Sequence, residues 1–162
     1  MKKRSTRTNN SKRAAPGAGV RNLDISIRRT NKDLNGTRKK LNDFLYAGGL
    51  NAETALHIEM AVYEAAANVI EHGGAPFKRD AILINCSLAR RTATVSITYR
   101  GLEFDPTGAT LPDIKTHFDS GKDGGLGIYI IMALMDSVSY SFSENTNTLT
   151  LKKNIGRGLR KS

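Results

Sequence analysis

The chain predicts an α+β fold, a two-layer sandwich with helices packed on one face of a mixed or mostly antiparallel sheet. Three observations support it. Apolar residues alternate with polar ones in several short runs, a long Ala/Glu/Leu/Met-rich stretch at 52–72 carries no Gly or Pro, and the elements do not alternate regularly as βαβ units would. At 162 residues the chain suffices for one domain with a sizeable core and is too short for two ordinary ones.

The first 20 residues, MKKRSTRTNNSKRAAPGAGV, lack apolar periodicity and read as a flexible basic tail. Leu23, Ile25 and Ile27 alternate in a strand over 22–29, where the domain of residues 21–155 begins. Leu34, Leu41 and Leu45 fall near helical spacing from Asn31 to about Leu45, and Gly48-Gly49 supplies a stop; Gly36 weakens that helix. Residues 52–72 form the second helix. Strands follow at 80–88 and 92–99, with Arg90 and Arg91 between them and Tyr99 on the inward face with Val95 and Ile97.

Residues 100–123 are a long connection punctuated by Gly and Pro, and a loop of that length in a small domain reads as a lid. A third helix over 124–135 carries Ile128, Ile131, Met132 and Met135 as an i, i+3, i+4, i+7 stripe. Val138, Tyr140 and Phe142, then Leu149 and Leu151, alternate around a polar turn of Asn145 to Asn147 and predict a closing hairpin. Residues 156–162 are a C-terminal tail.

The net charge of +10 suggests nucleic-acid binding until it is located. Residues 1–40 hold 13 Lys and Arg against Asp24 and Asp33, a net +11, whereas residues 41–162 carry a net −1. The domain is therefore nearly neutral. The tail serves solubility or a weak electrostatic contact to nucleic acid or an acidic partner, without the aromatic interleaving that stacks on bases. A single cysteine, Cys86, excludes an internal disulfide and fits the cytoplasm. No apolar run reaches the roughly 18 residues of a membrane span, and no signal-peptide core follows the basic start.

Glu64, Asn68 and His72 recur at intervals of four, which places a carboxylate, an amide and an imidazole on one helix face. An amide oxygen is a hard ligand for Mg²⁺, and a carboxylate can accept the proton of an attacking hydroxyl. The segment GKDGGLGIYIIMALMD then opens the third helix with glycines that admit phosphate oxygens to backbone amides. Together they are the parts of a phosphoryl-transfer site.

Three segments, EAAANVIEHGG at 64–74, YRGLEFDP at 99–106 and GKDGGLGIYIIMALMD at 121–136, resemble in order and spacing the GHKL ATP-binding superfamily. Within it, they resemble the anti-sigma factor serine/threonine kinases of bacterial partner switching. The resemblance covers about residues 21–153 and implies the Bergerat-type sandwich, with ATP and Mg²⁺ as cofactors. It implies Asn68 as the Mg²⁺ ligand and Glu64 as the catalytic base. Nucleotide contacts are implied for His72, Tyr99, Gly101, Phe104, Lys122, Gly124, Gly125, Leu126 and Gly127; a histidine at a helix end such as His72 is often just a cap on the last carbonyls. The implied partners are a STAS-domain anti-anti-sigma protein, a sigma factor or equivalent regulator, and a second copy in a homodimer.

One position departs from the family pattern. The Asp that receives the adenine amino group is matched here by Tyr99, which leaves three roles open: a hydrogen bond to the base through its hydroxyl, stacking beside the base, or blocking it. The rival that follows is a non-catalytic protein-binding module of the same fold. A sensor histidine kinase is disfavoured, because no paired dimerisation helices carry a phosphoacceptor histidine and His57 and His117 lie in poor contexts for that job.

Overall fold

The computed structural model describes residues 20–72, 77–108 and 125–156. The predicted 1–20 tail except its last residue, the C-terminal tail from 157, and most of the predicted lid lie outside them. Five strands, β1 (Arg21–Ile27), β2 (Ile82–Leu88), β3 (Thr92–Arg100), β4 (Ser137–Ser143) and β5 (Thr146–Asn154), form one sheet in the order β1-β2-β3-β5-β4. Every described pairing is antiparallel, which resolves the mixed-or-antiparallel expectation.

Period-two alternation sorts the sheet into two chemically different faces. On the inner face the register builds cross-strand rows: Ile25, Ile84, Ile97, Leu149 and Tyr140 form one, and Leu23, Cys86, Val95, Leu151 and Val138 the next. The outer rows are polar and small, such as Asp24, Asn85, Ser96, Thr150 and Ser139. The described helices cover the inner face: α1 (Asn31–Ala47) packs on β1 and α2 (Ala52–His72), α2 packs on β3, and α3 (Leu126–Leu134) lies against α2 and β4. Burial pushes the Cys86 thiol up to about 12.

Each helix has a local reason for its ends. The Thr30 hydroxyl accepts from the Asp33 amide at 3.2 Å, and the Asn51 side chain accepts from the Thr54 amide at 2.8 Å, so α1 and α2 both start on a side-chain cap. Gly48 ends α1, its amide bonding back to the Phe44 and Leu45 carbonyls. A Cβ at Gly48 would run into the buried Leu88 side chain, so this position demands glycine for space. Between α1 and α2, the buried Glu59 carboxylate accepts from Arg38 and, at 2.9 Å, from Asn42. Gly36 sits on the exposed side of α1, with open space around it.

The hairpin differs from its expectation. Its turn is the two residues Glu144 and Asn145, both at positive φ, as a tight antiparallel turn requires. Asn147 belongs to β5 and is fully buried opposite Tyr99. Its amide donates to the Leu102 carbonyl at 3.1 Å, while its carbonyl accepts from the Tyr140 hydroxyl at 2.6 Å and the Phe104 amide at 3.3 Å. The chain leaving β3 is thereby clamped to the closing hairpin. Of the predicted α3 stripe, Ile131 and Met135 are buried, Ile128 and Met132 only partly so, and Met135 lies just past the helix in extended conformation. Among the described residues, no helix is long and apolar enough to cross a membrane.

These contacts set the stability of three variants. Gly48→Ala should lower unfolding free energy by about 1–3 kcal/mol in urea titrations, because the fully buried Leu88 side chain must shift to make room. Asn147→Ala should cost about 2–4 kcal/mol by leaving buried partners unpaired, while Tyr140→Phe should cost about 1 kcal/mol. Equal midpoints for Asn147→Ala and the parent chain would discount the clamp.

Candidate functional site

Helix α2 presents Glu64 and Asn68 on its partly buried edge, beside the buried Ala65 and Val69. Neither side chain has a hydrogen-bond partner among the described residues. The start of α3 meets them. Gly125 caps that helix at φ 84°, a conformation that favours glycine, and among the described residues no side chain caps the amides of the first turn. A Cβ at Gly127 would lie 2.9 Å from Glu64 Oε2 and 3.4 Å from both Asn68 amide atoms. Gly125, Leu126 and Gly127 thus open a helix directly against the Glu64–Asn68 pair. Lys122 and Gly124 lie outside the described residues.

Alongside this junction is a cavity of about 270 Å³, bounded by α2, the end of β3, the segment after it and α3. Val69 and Ile131 enter from the helices, Ile97 and Leu149 from the sheet, and Leu102 and Pro106 from the segment after β3. Five predicted site residues, Asn68, His72, Tyr99, Gly101 and Phe104, share its wall. Glu64 stands outside the cavity, beside Gly127 and one helical turn from Asn68, which lines it. His72 is exposed, with its ring 6.5 Å from that of Phe104 and its Nε2 3.8 Å from the Glu71 carboxylate. It makes no hydrogen bond to the last carbonyls of α2 among the described residues, so the capping role has no support there.

The electrostatics are those of a partly dry site. Burial, assisted by repulsion from Glu71, holds the Glu64 carboxyl above the ordinary glutamate value. Burial likewise pushes the Tyr99 phenol up to about 12, so it is neutral at physiological pH. The Arg29 guanidinium lies 5.8 Å from the Tyr99 ring centroid and donates to the Asp80 carbonyl at 3.1 Å. Tyr99 is only 8% exposed, and its hydroxyl has no hydrogen-bond partner among the described residues. No cluster of three or more His, Cys, Asp or Glu suited to a metal occurs among those residues. A divalent ion here would depend on Asn68 and on oxygens brought by a ligand, which is how Mg²⁺ is commonly held.

Sequence reasoning missed the Asn147–Tyr140 clamp and the hydrocarbon walls. One signal was present for Asn147: it precedes Leu149 and Leu151 by two and four residues, which places it on their inward face. Its position in an Asn-rich stretch concealed that alternation.

The chain matches the model of the histidine kinase-like ATPase domain over residues 27–153. It is 28% identical over 101 residues to the serine/threonine-protein kinase BtrW of Bordetella bronchiseptica, covering 62% of this chain and 71% of that protein. Among solved structures, the RsbU and RsbW domains of Rv1364c from Mycobacterium tuberculosis superpose with a TM-score of 0.62 at 20% identity. That alignment covers 88% of this chain and about a third, 34%, of the other. The SiaB–SiaC complex from Pseudomonas aeruginosa gives a TM-score of 0.52 at 14% identity, covering 81% and 88%. At these identities the two structures speak to the fold, which is the same sandwich. The family match spans most of the chain, and its three motif-bearing segments fall within it: the protein belongs to the histidine kinase-like ATPase domain family.

Proposed function

We propose that this protein is a serine/threonine protein kinase of the anti-sigma type, which binds Mg·ATP and phosphorylates a STAS-domain antagonist. The observation that carries the reading is the junction at Gly127, where Glu64 and Asn68, unpartnered among the described residues, meet a helix start beside an apolar cavity. The similarity to a named serine/threonine kinase supports it. In this reading residues 21–155 form the kinase domain, residues 1–20 and 156–162 are tails, and the protein works in the cytoplasm. Unphosphorylated antagonist competes with a sigma factor or equivalent regulator for the same chain, which acts as a homodimer.

The chemistry required of the protein is mostly positioning. The apolar walls take the base, the α3 amides face the phosphates, and Asn68 supplies the side-chain ligand for Mg²⁺. The ion, when bound, neutralises charge on the phosphate oxygens. Glu64 receives the proton of the incoming serine or threonine hydroxyl as its oxygen bonds to the γ-phosphorus and the bridging P–O bond to ADP breaks. Desolvation favours this role, because a carboxylate with a raised pKa is a stronger base.

Tyr99 favours one specific second reading, a nucleotide-free protein-binding module, since a phenol stands where the family resemblance implies a carboxylate against adenine. Calorimetric titration with Mg·ATP separates the two. Saturable, Mg²⁺-dependent binding that Asn68→Ala abolishes supports the kinase, and silence up to millimolar ATP supports the module.

Glu64→Ala should leave ATP affinity within about threefold while lowering transfer to a serine-bearing antagonist by about 100-fold or more, measured with radiolabelled phosphate. Gly127→Val should lower ATP affinity by at least about tenfold, because its side chain occupies the space against Glu64 and Asn68. The transfer rate should fall as pH drops through the raised Glu64 pKa, since the base must be ionised. A single-turnover profile flat from pH 8 to about pH 4 would remove Glu64 from that role.

A further inference from the structure

The hydrogen-bonding resources of the cavity are few and unequal. Asn147, the polar group opposite Tyr99 in the sheet, spends its amide on Leu102 and its carbonyl on Tyr140 and Phe104. His72 and Glu103 are exposed, and Asn68 is only partly buried and sits beside the α3 end, where the proposed function assigns it to Mg²⁺. The hydrocarbon of Val69, Ile97, Ile131 and Leu149 forms no hydrogen bonds. Among the described residues that line the cavity, Tyr99 is the buried one with a polar side-chain group, and its hydroxyl has no hydrogen-bond partner among them.

That group differs in kind from a carboxylate. A carboxylate only accepts, so it suits a 6-amino group and repels a 6-oxo group. A neutral phenol both donates and accepts, and rotation of its O–H chooses which. Because burial keeps the Tyr99 phenol protonated, both options persist across the physiological range. The Arg29 cation over the ring draws electron density from the phenol and strengthens its donor character, which favours an accepting edge.

Resting on the nucleotide reading above, we infer that Tyr99 makes the cavity base-tolerant, accepting 6-oxopurine nucleotides such as GTP alongside 6-aminopurine nucleotides such as ATP. Phosphoryl donation then follows whichever purine triphosphate is at hand. Adenine presents a donor at position 6 and an acceptor at N1, and guanine reverses both; a hydroxyl on an otherwise apolar wall can serve each.

The test is calorimetric titration of the full chain with Mg·ATP, Mg·GTP and Mg·ITP, the last lacking the 2-amino group, in the parent chain, Tyr99→Phe and Tyr99→Asp. The parent should bind ATP, GTP and ITP with dissociation constants within about tenfold of one another. Tyr99→Phe, which keeps the ring packed, should weaken all three by roughly three- to tenfold. Tyr99→Asp should select ATP over GTP and ITP by about tenfold or more. A parent chain that prefers ATP over both others by about 100-fold, or a Tyr99→Phe variant indistinguishable from the parent for all three, overturns the inference and leaves the kinase reading intact. Binding of none of the three by the parent overturns the nucleotide reading and this inference together.

Discussion

The architecture depends on how closely α3 can approach α2. Side chains normally hold two packed helices about 8–10 Å apart, and here a glycine at the point of contact removes the spacer. The helix start consequently reaches the carboxylate and the amide rather than stopping above them, and Ile131, one turn further along, is brought down to close the cavity. The opening of α3 without a side-chain cap belongs to the same design. A serine or aspartate at the cap would satisfy the free amides internally and fill the space in front of them, whereas Gly125 leaves them available to a ligand.

A second constraint acts at the other end of the cavity. The segment after β3 is short of apolar anchors: Leu102 and Phe104 are exposed, and Pro106 is its buried apolar residue. Its position is set by hydrogen bonds to Asn147 and Tyr140 and by the Gly101 amide donating to the Asn145 carbonyl at 2.9 Å. Buried polar groups are costly unless satisfied, so a satisfied network defines one geometry and penalises its neighbours. The cavity roof thus takes its shape from the last two strands of the chain, some forty residues away in sequence.

Much of the fold was legible because local signals agreed. Ala52–His72 carries no breaker and forms a helix over that whole span, and the inward residues of β2 and β3 follow period-two alternation. The Glu64–Asn68 face was legible from helical spacing, and the glycine segment that opens α3 from motif order. The cavity was not, because its walls are assembled by strand register and helix docking between residues distant in sequence. α3 shows the limit of periodicity: it is apolar on nearly all sides, so an i, i+3, i+4, i+7 stripe can be drawn without identifying the face that packs. Asn147 shows the limit of composition, since the residues that favour turns also serve as buried clamps.

Cys86 lies beneath the helices on the inner face, and its thiol stays protonated to about pH 12. It is the chain's one cysteine, so the native fold is silent to thiol-directed reagents. A cysteine introduced at an exposed position at the cavity rim, such as Leu102, would react alone. The fold therefore accommodates a site-specific fluorophore beside the cavity with no native residue needing to be removed first.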